Sequence, residues 1–227
     1  MSTAWSLKEL RDGVIRAELH DTKEAIEIIS SIGRSCEIFD YHKCLARDAF
    51  QVFDVKNDPH GIEFARQLFD LNENQEALYE AKLESEANLI ACISTTRNSY
   101  DSFGQLVNIL AIATPLKGNF YVHDVARALP TGQLKTELSA AVSSEWFTYA
   151  NAFMNTVKHR QLITHSASIS FVNENRGGKV RSFQHKGKPY QEYWVREVLE
   201  GTVELQNALV LCGRALNEAF LNNPSRD

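Results

Sequence analysis

The chain is poor in residues that punctuate or staple a fold. Five prolines and eleven glycines in 227 residues are few, which favours helices over many short strands. Four cysteines (Cys36, Cys44, Cys92 and Cys212) lie far apart with no Cys-x-x-Cys pair. That spacing supplies neither a zinc knuckle nor a disulfide framework and leads us to expect free thiols in a reducing cytosol. No uninterrupted apolar stretch approaches the ~18 residues a membrane span requires. The opening "MSTAWSLKELRDG" has acidic and basic residues where a signal peptide needs an apolar run. A soluble, cytoplasmic protein is expected.

Signatures of common chemistries are missing too. There is no Gly-rich phosphate loop, His-Glu-x-x-His, paired-carboxylate motif or Gly-x-Ser-x-Gly elbow. "RGGK", residues 176–179, reads as a hairpin turn rather than a phosphate cradle. The histidines are scattered, with no pair four apart beside a carboxylate. No metal and no cofactor is expected.

What is present is ordinary globular material: 44% hydrophobic and 23% charged residues, enough to bury a core as one domain. Residues 1–57 read as N-terminal helices, with Ser6 placed as a cap, and "NDPHG" at 57–61 as a break. From about 73 to 113 runs one long helix, and "YVHDVARAL" reads as a short one. Another long helix spans about 132 to 162, where Leu138, Val142, Trp146, Tyr149, Phe153 and Val157 recur at helical spacing as a core stripe. The period then changes. "SASISFV" and "KVRSFQ" alternate around "NENRGG", a β-hairpin signal, and "HKGKP" reads as loop. A last long helix follows. The expectation is a mainly α single domain over 1–227. Its core bundle occupies 73–222, with a hairpin at about 166–184 inserted before the last helix.

Polar residues interrupt the greasy stripes. Arg97 falls in register with Ile90, Ile93, Tyr100 and Val107, four residues before Asp101, so the two can pair along the helix. Asn98, Asp101, Gln105 and Asn108 lie one edge over, and Thr148, Asn151, Asn155 and His159 form a matching stripe on the later helix. These read either as solvated faces with one Arg–Asp pair, or as a polar cleft in which Arg97, Asn98 and Asp101 orient a ligand.

Charge is also uneven. Between Asn155 and Tyr190 lie seven cations (Lys158, Arg160, Arg176, Lys179, Arg181, Lys186 and Lys188) against one acid, Glu174. The window is therefore +6 and the remainder −11, in a chain of net −5. Such asymmetry suits an anionic partner: RNA, a nucleotide phosphate, or an acidic protein surface. Helix ends and hairpins also collect cations for structural reasons. In "RQLITH", Arg160 offers a planar fork for phosphate and His165 a side chain that moves protons near neutral pH. Metal-independent RNA cleavage uses both, one as base and one to stabilise charge on the phosphorane.

This Arg-x4-His near the end of a long helix resembles the motif of HEPN domains (higher eukaryotes and prokaryotes nucleotide-binding). Gln161 stands where the family often has Asn, Asp or His. The resemblance implies a helical, homodimeric, metal-independent endoribonuclease of toxin–antitoxin or defence type, with two motifs sharing a cleft. It makes Arg160 and His165 the catalytic pair, with Asn155, Lys158 and His159 as helpers in binding. The rival expectation is a non-enzymatic helical interaction or regulatory protein whose basic hairpin docks an acidic partner.

Overall fold

The computed structural model describes residues 4–69 and 74–222, and it is mainly helical: 67% helix, with a small antiparallel sheet ahead of the last helix. Helix α1 (Leu7–Arg16) starts at Ser6, whose side chain accepts from the Glu9 amide. Then follow α2 (Thr22–Asp48), a 3-10 turn at Gln51–Phe53, α3 (Ile62–Phe69), α4 (Gln75–Ala111) and α5 (Val122–Ala128). After α6 (Gln133–Ser143) and α7 (Glu145–His159) come strands β1 (His165–Ser170), β2 (Asn175–Val180), β3 (Phe183–His185), β4 (Lys188–Tyr190) and β5 (Tyr193–Trp194). Helix α8 (Val195–Leu221) closes the described chain. No helix among the described residues is long and apolar enough to cross a membrane.

The helix expected over 132–162 is two helices. Ser144 is extended (φ −65°, ψ 156°), and its hydroxyl accepts from the Phe147 amide, so it ends α6 and caps α7. The first helical stretch is likewise divided, with Glu18 at φ 46° between α1 and α2. The expected hairpin is β1–β2, paired from His165 opposite Val180 to Ser170 opposite Asn175. Its turn is shorter than "NENRGG" suggests, because Asn175–Gly178 belong to the strand. "HKGKP", expected as loop, contributes to a second hairpin, β3–β4, in which His185 pairs with Lys188. The two intervening residues, Lys186 and Gly187, both take positive φ (50° and 78°), as the tight turns that match strand twist require.

The chain folds into two compact units. One comprises residues 4–38, 95–148 and 203–222 of the described chain. Its buried residues include Leu10, Phe103, Leu106, Leu138, Phe147 and Leu216. Tyr100 is fully enclosed there and donates to the Leu205 carbonyl (2.8 Å). Asn108 pins the chain after α4, donating to the Leu116 carbonyl and accepting from the Leu116 amide. Trp5 lies against α8 at Gly213, where a β-carbon would sit 2.1 Å from the indole. Asn217 fixes that seat: it accepts from the indole N–H (2.9 Å) and donates to the Ser6 carbonyl (3.0 Å). The ring also meets Phe103 edge-on at 5.6 Å.

The other unit comprises residues 39–69, 74–94 and 149–202 of the described chain. Ala49, Phe50, Phe53, Phe64, Leu68 and Ala81 form its apolar cluster, with Ala167 and Ile169 of β1 packed against it. Asp58 caps α3, its carboxylate accepting from the Ile62 and Phe64 amides. A second packing centre is aromatic: Tyr149, Phe153, Phe183, Tyr190 and Tyr193 meet ring to ring. The cysteines are free thiols. Cys212 in the first unit and Cys92 in the second are fully buried, and burial pushes each thiol up to about 12. Cys44 is exposed.

Candidate cationic face at the end of α7

Helix α7 ends with unsatisfied carbonyls, a setting that attracts cations. Lys158, His159 and Arg160 stand there, all exposed. Asn155, one turn earlier, is half-buried and donates back to the Asn151 carbonyl (2.8 Å). The chain then buries Ile163 and enters β1, where successive side chains alternate between faces. Thr164 points out and His165 points in.

His165 is 2% exposed. Its Nδ1 lies 3.2 Å from the Ser85 hydroxyl, and its backbone amide donates to the Glu86 carboxylate (3.0 Å). Its Nε2 has no hydrogen-bond partner among the described residues. Burial lowers its pKa to about 4, so the ring is neutral near pH 7. Arg160 instead lines an open cleft of about 500 Å³ together with Thr156, Gln161, Ser182, Phe183, Gln184, Pro189 and Tyr190. The pair expected at one phosphate is thus divided, with His165 enclosed and Arg160 outside. The strand register separates them, since His165 sits opposite the buried Val180. His185 lies within the electrostatic reach of Arg160. Burial, then Lys186, then Arg160 hold its ring below the ordinary histidine value.

The seven cations of the segment fall into two groups. Arg176 pairs with Asp54 (3.0 Å), donates to the Asp58 carbonyl and lies over the Phe64 ring. Lys179 pairs with Glu192 (2.9 Å) and lies over Trp194. These two charges are neutralised in place and hold β2 to its surroundings. Lys158, Arg160, Arg181, Lys186 and Lys188 are exposed, and among the described residues none has a carboxylate within ion-pair distance. They give the end of α7 and the β3–β4 hairpin exposed positive charge with no ion-pair partner among the described residues.

Arg97, Asn98 and Asp101 belong to the other unit. The Arg97 side chain is 11% exposed, pairs with Asp101 (2.6 Å) as its spacing suggests, and lies 5.1 Å over the Phe147 ring. His123 meets the same ring edge-on; burial, then Arg97 and Arg127, lower its pKa. Asn98 is exposed. The Arg97 charge is engaged in packing and in its own ion pair rather than presented to solvent. No cluster of three or more metal-ligating side chains occurs among the described residues.

Tyr190 and Gln184 carry no charge and belong to no motif, so composition and spacing do not single them out, and Gln161 drew notice only as a departure from the family's usual residue. The one sequence signal beside them is Lys-Gly between two short strands, the turn that folds Tyr190 back onto Phe183. No family model, curated protein or solved structure matches this chain.

Proposed function

We propose that this protein binds RNA or a nucleotide phosphate through the cationic face formed by the end of α7 and the β3–β4 hairpin. The observation that carries the reading is the group of five exposed cations, Lys158, Arg160, Arg181, Lys186 and Lys188, without carboxylate partners among the described residues, in an otherwise acidic chain. Cations held without counter-charges gain by releasing the counterions of a phosphate chain. Arg160 suits a phosphate best, because its fork is planar and permanently charged. The resemblance to HEPN domains points the same way and further implies a homodimer.

The enclosure of His165 favours a second reading, in which the same face docks an acidic protein partner and no bond is broken. A base for the 2′-hydroxyl must reach the phosphate held by Arg160, and a ring enclosed beside Ser85 lacks that reach. Anisotropy of a labelled single-stranded RNA in EDTA, run alongside a gel for cleavage, separates the readings. Binding is expected near 50 mM salt, weakening with a log–log slope that falls by about 0.7 for each phosphate contact removed. Arg160→Ala and the Lys186→Ala/Lys188→Ala pair should both weaken binding and flatten that slope. Product that disappears in Arg160→Ala and in His185→Gln extends the reading to a ribonuclease. An RNA affinity that is undetectable in the wild type, or unchanged in Arg160→Ala, removes the phosphate reading.

A further inference from the structure

The cleft beside Arg160 is more than a patch of charge, because an aromatic ring forms part of its lining. Tyr190 and Phe183, paired across the β3–β4 hairpin, stack with centroids 4.8 Å apart and planes 7° from parallel. Phe183 is 6% exposed and is held edge-on by Phe153 and Tyr149. Tyr190 is half-buried, and Tyr149 meets its edge at 5.9 Å. The ring is therefore fixed in place by packing below it. One of its faces is taken by Phe183. The Lys188 ammonium lies over the ring, 5.3 Å from its centroid, and the stack on Phe183 leaves the other face for it.

Three further lining residues, Gln161, Ser182 and Gln184, are exposed polar groups. Amides and hydroxyls offer both donors and acceptors, the complement of a nucleobase edge. A supported flat ring, an amide-rich rim and an arginine in one lining match the composition of sites that stack an unpaired base beside its phosphate.

We propose that the β3–β4 hairpin carries a nucleobase subsite, with Tyr190 as its stacking surface and Gln184 and Gln161 reading the base edge. Lys188 holds the position of the base until the ligand arrives. An exposed ammonium on an aromatic face is a weak contact, and a planar base displaces it. The ammonium then swings toward the phosphate of the same nucleotide. The ligand class is a nucleotide with an unstacked base, as in a single strand or loop. A base inside a duplex keeps both faces covered by its neighbours and cannot enter. This inference rests on the phosphate-binding reading, but the two fail in different ways.

The test compares a labelled oligoadenylate with an abasic ribose-phosphate oligomer of the same length and charge, in EDTA and at fixed salt. Wild type is expected to prefer the base-bearing oligomer by about tenfold, the scale of one stacked base. Tyr190→Leu should abolish the preference, so that the two oligomers bind alike, and Tyr190→Phe should retain it. Arg160→Ala should weaken both oligomers alike. Because Tyr190 is part of an aromatic packing centre, Gln184→Ala serves as a second variant that leaves the core intact and should reduce the preference severalfold. Equal wild-type affinity for the two oligomers overturns the subsite and leaves phosphate binding standing. A preference that survives both Tyr190→Leu and Gln184→Ala also overturns it. Binding of neither oligomer overturns both readings.

Discussion

Between pH 6.5 and about 4 the folded protein is expected to lose roughly 3 kcal/mol of stability to a single side chain, His165. In the unfolded chain the ring titrates near its ordinary value of 6.5; in the fold, burial lowers it to about 4. The unfolded state therefore binds the extra proton first. The contribution is complete above pH 6.5, declines as pH falls through the window, and is gone below the folded value. The groups that face the ring explain why the proton is unwelcome. Ser85 offers Nδ1 a hydroxyl, while the Glu86 carboxylate is taken up by the backbone amide. Urea unfolding of wild type and His165→Gln at intervals from pH 7.5 to 4 reads the effect. The wild-type slope should largely disappear in the variant, leaving the smaller contributions of His123 and His185, which are shifted in the same direction. Asp58 and Asp124 are lowered as well, Asp58 chiefly by the Phe64 amide and Asp124 by that of Tyr121. Their contributions fade only as pH falls through and below the carboxylate value of 3.8. A His165→Gln curve parallel to wild type across the window would sink the prediction. The same titration bears on chemistry, because a ring so reluctant to accept a proton is a poor base at neutral pH.

The second large effect is expected at Gly213. A methyl group there falls 2.1 Å from the Trp5 indole, and a ring cannot yield as a flexible side chain does. Gly213→Ala must expel Trp5, forfeiting the contact with Phe103 and the hydrogen bond to Asn217. A half-buried indole and one partly buried hydrogen bond together are worth about 2 to 3 kcal/mol. In a Trp5→Ala background the sign should reverse. The space is then empty, and alanine in a helix interior is favoured over glycine by about 0.5 to 1 kcal/mol. Denaturant curves for the four proteins of this cycle measure both signs. A Gly213→Ala cost that persists undiminished without Trp5 would show that the glycine serves something other than the indole.

These results bear on what the sequence could reveal. Helix α4 was readable because its apolar residues recur at one period over ten turns, and the Arg97–Asp101 pair because it lies within that helix. Both depend on neighbours a few positions away. The break at Ser144 was hidden because serine, though favoured at caps, is also tolerated inside helices, and the hydroxyl's turn toward the Phe147 amide decides. His165 was legible as a titratable group but not as an interior one. Its direction is set by pairing with Val180 and by Ser85, eighty positions away. The split between neutralised and unpartnered cations was closed to sequence for the same reason: Asp54 and Glu192 lie outside the segment they neutralise. The β3–β4 hairpin escaped because strands of three residues carry too little alternation to register.

The buried cysteines make the protein its own reporter. A thiol reagent attacks only thiolate, and with Cys92 and Cys212 pushed to about 12 almost none exists in the closed fold at neutral pH. Cys44, on the surface, and Cys36, half-buried, can be replaced. What remains is one concealed sulfur in each unit, each modified only when its surroundings open. The two alkylation rates, separated by peptide mass, time the breathing of each half from a single sample.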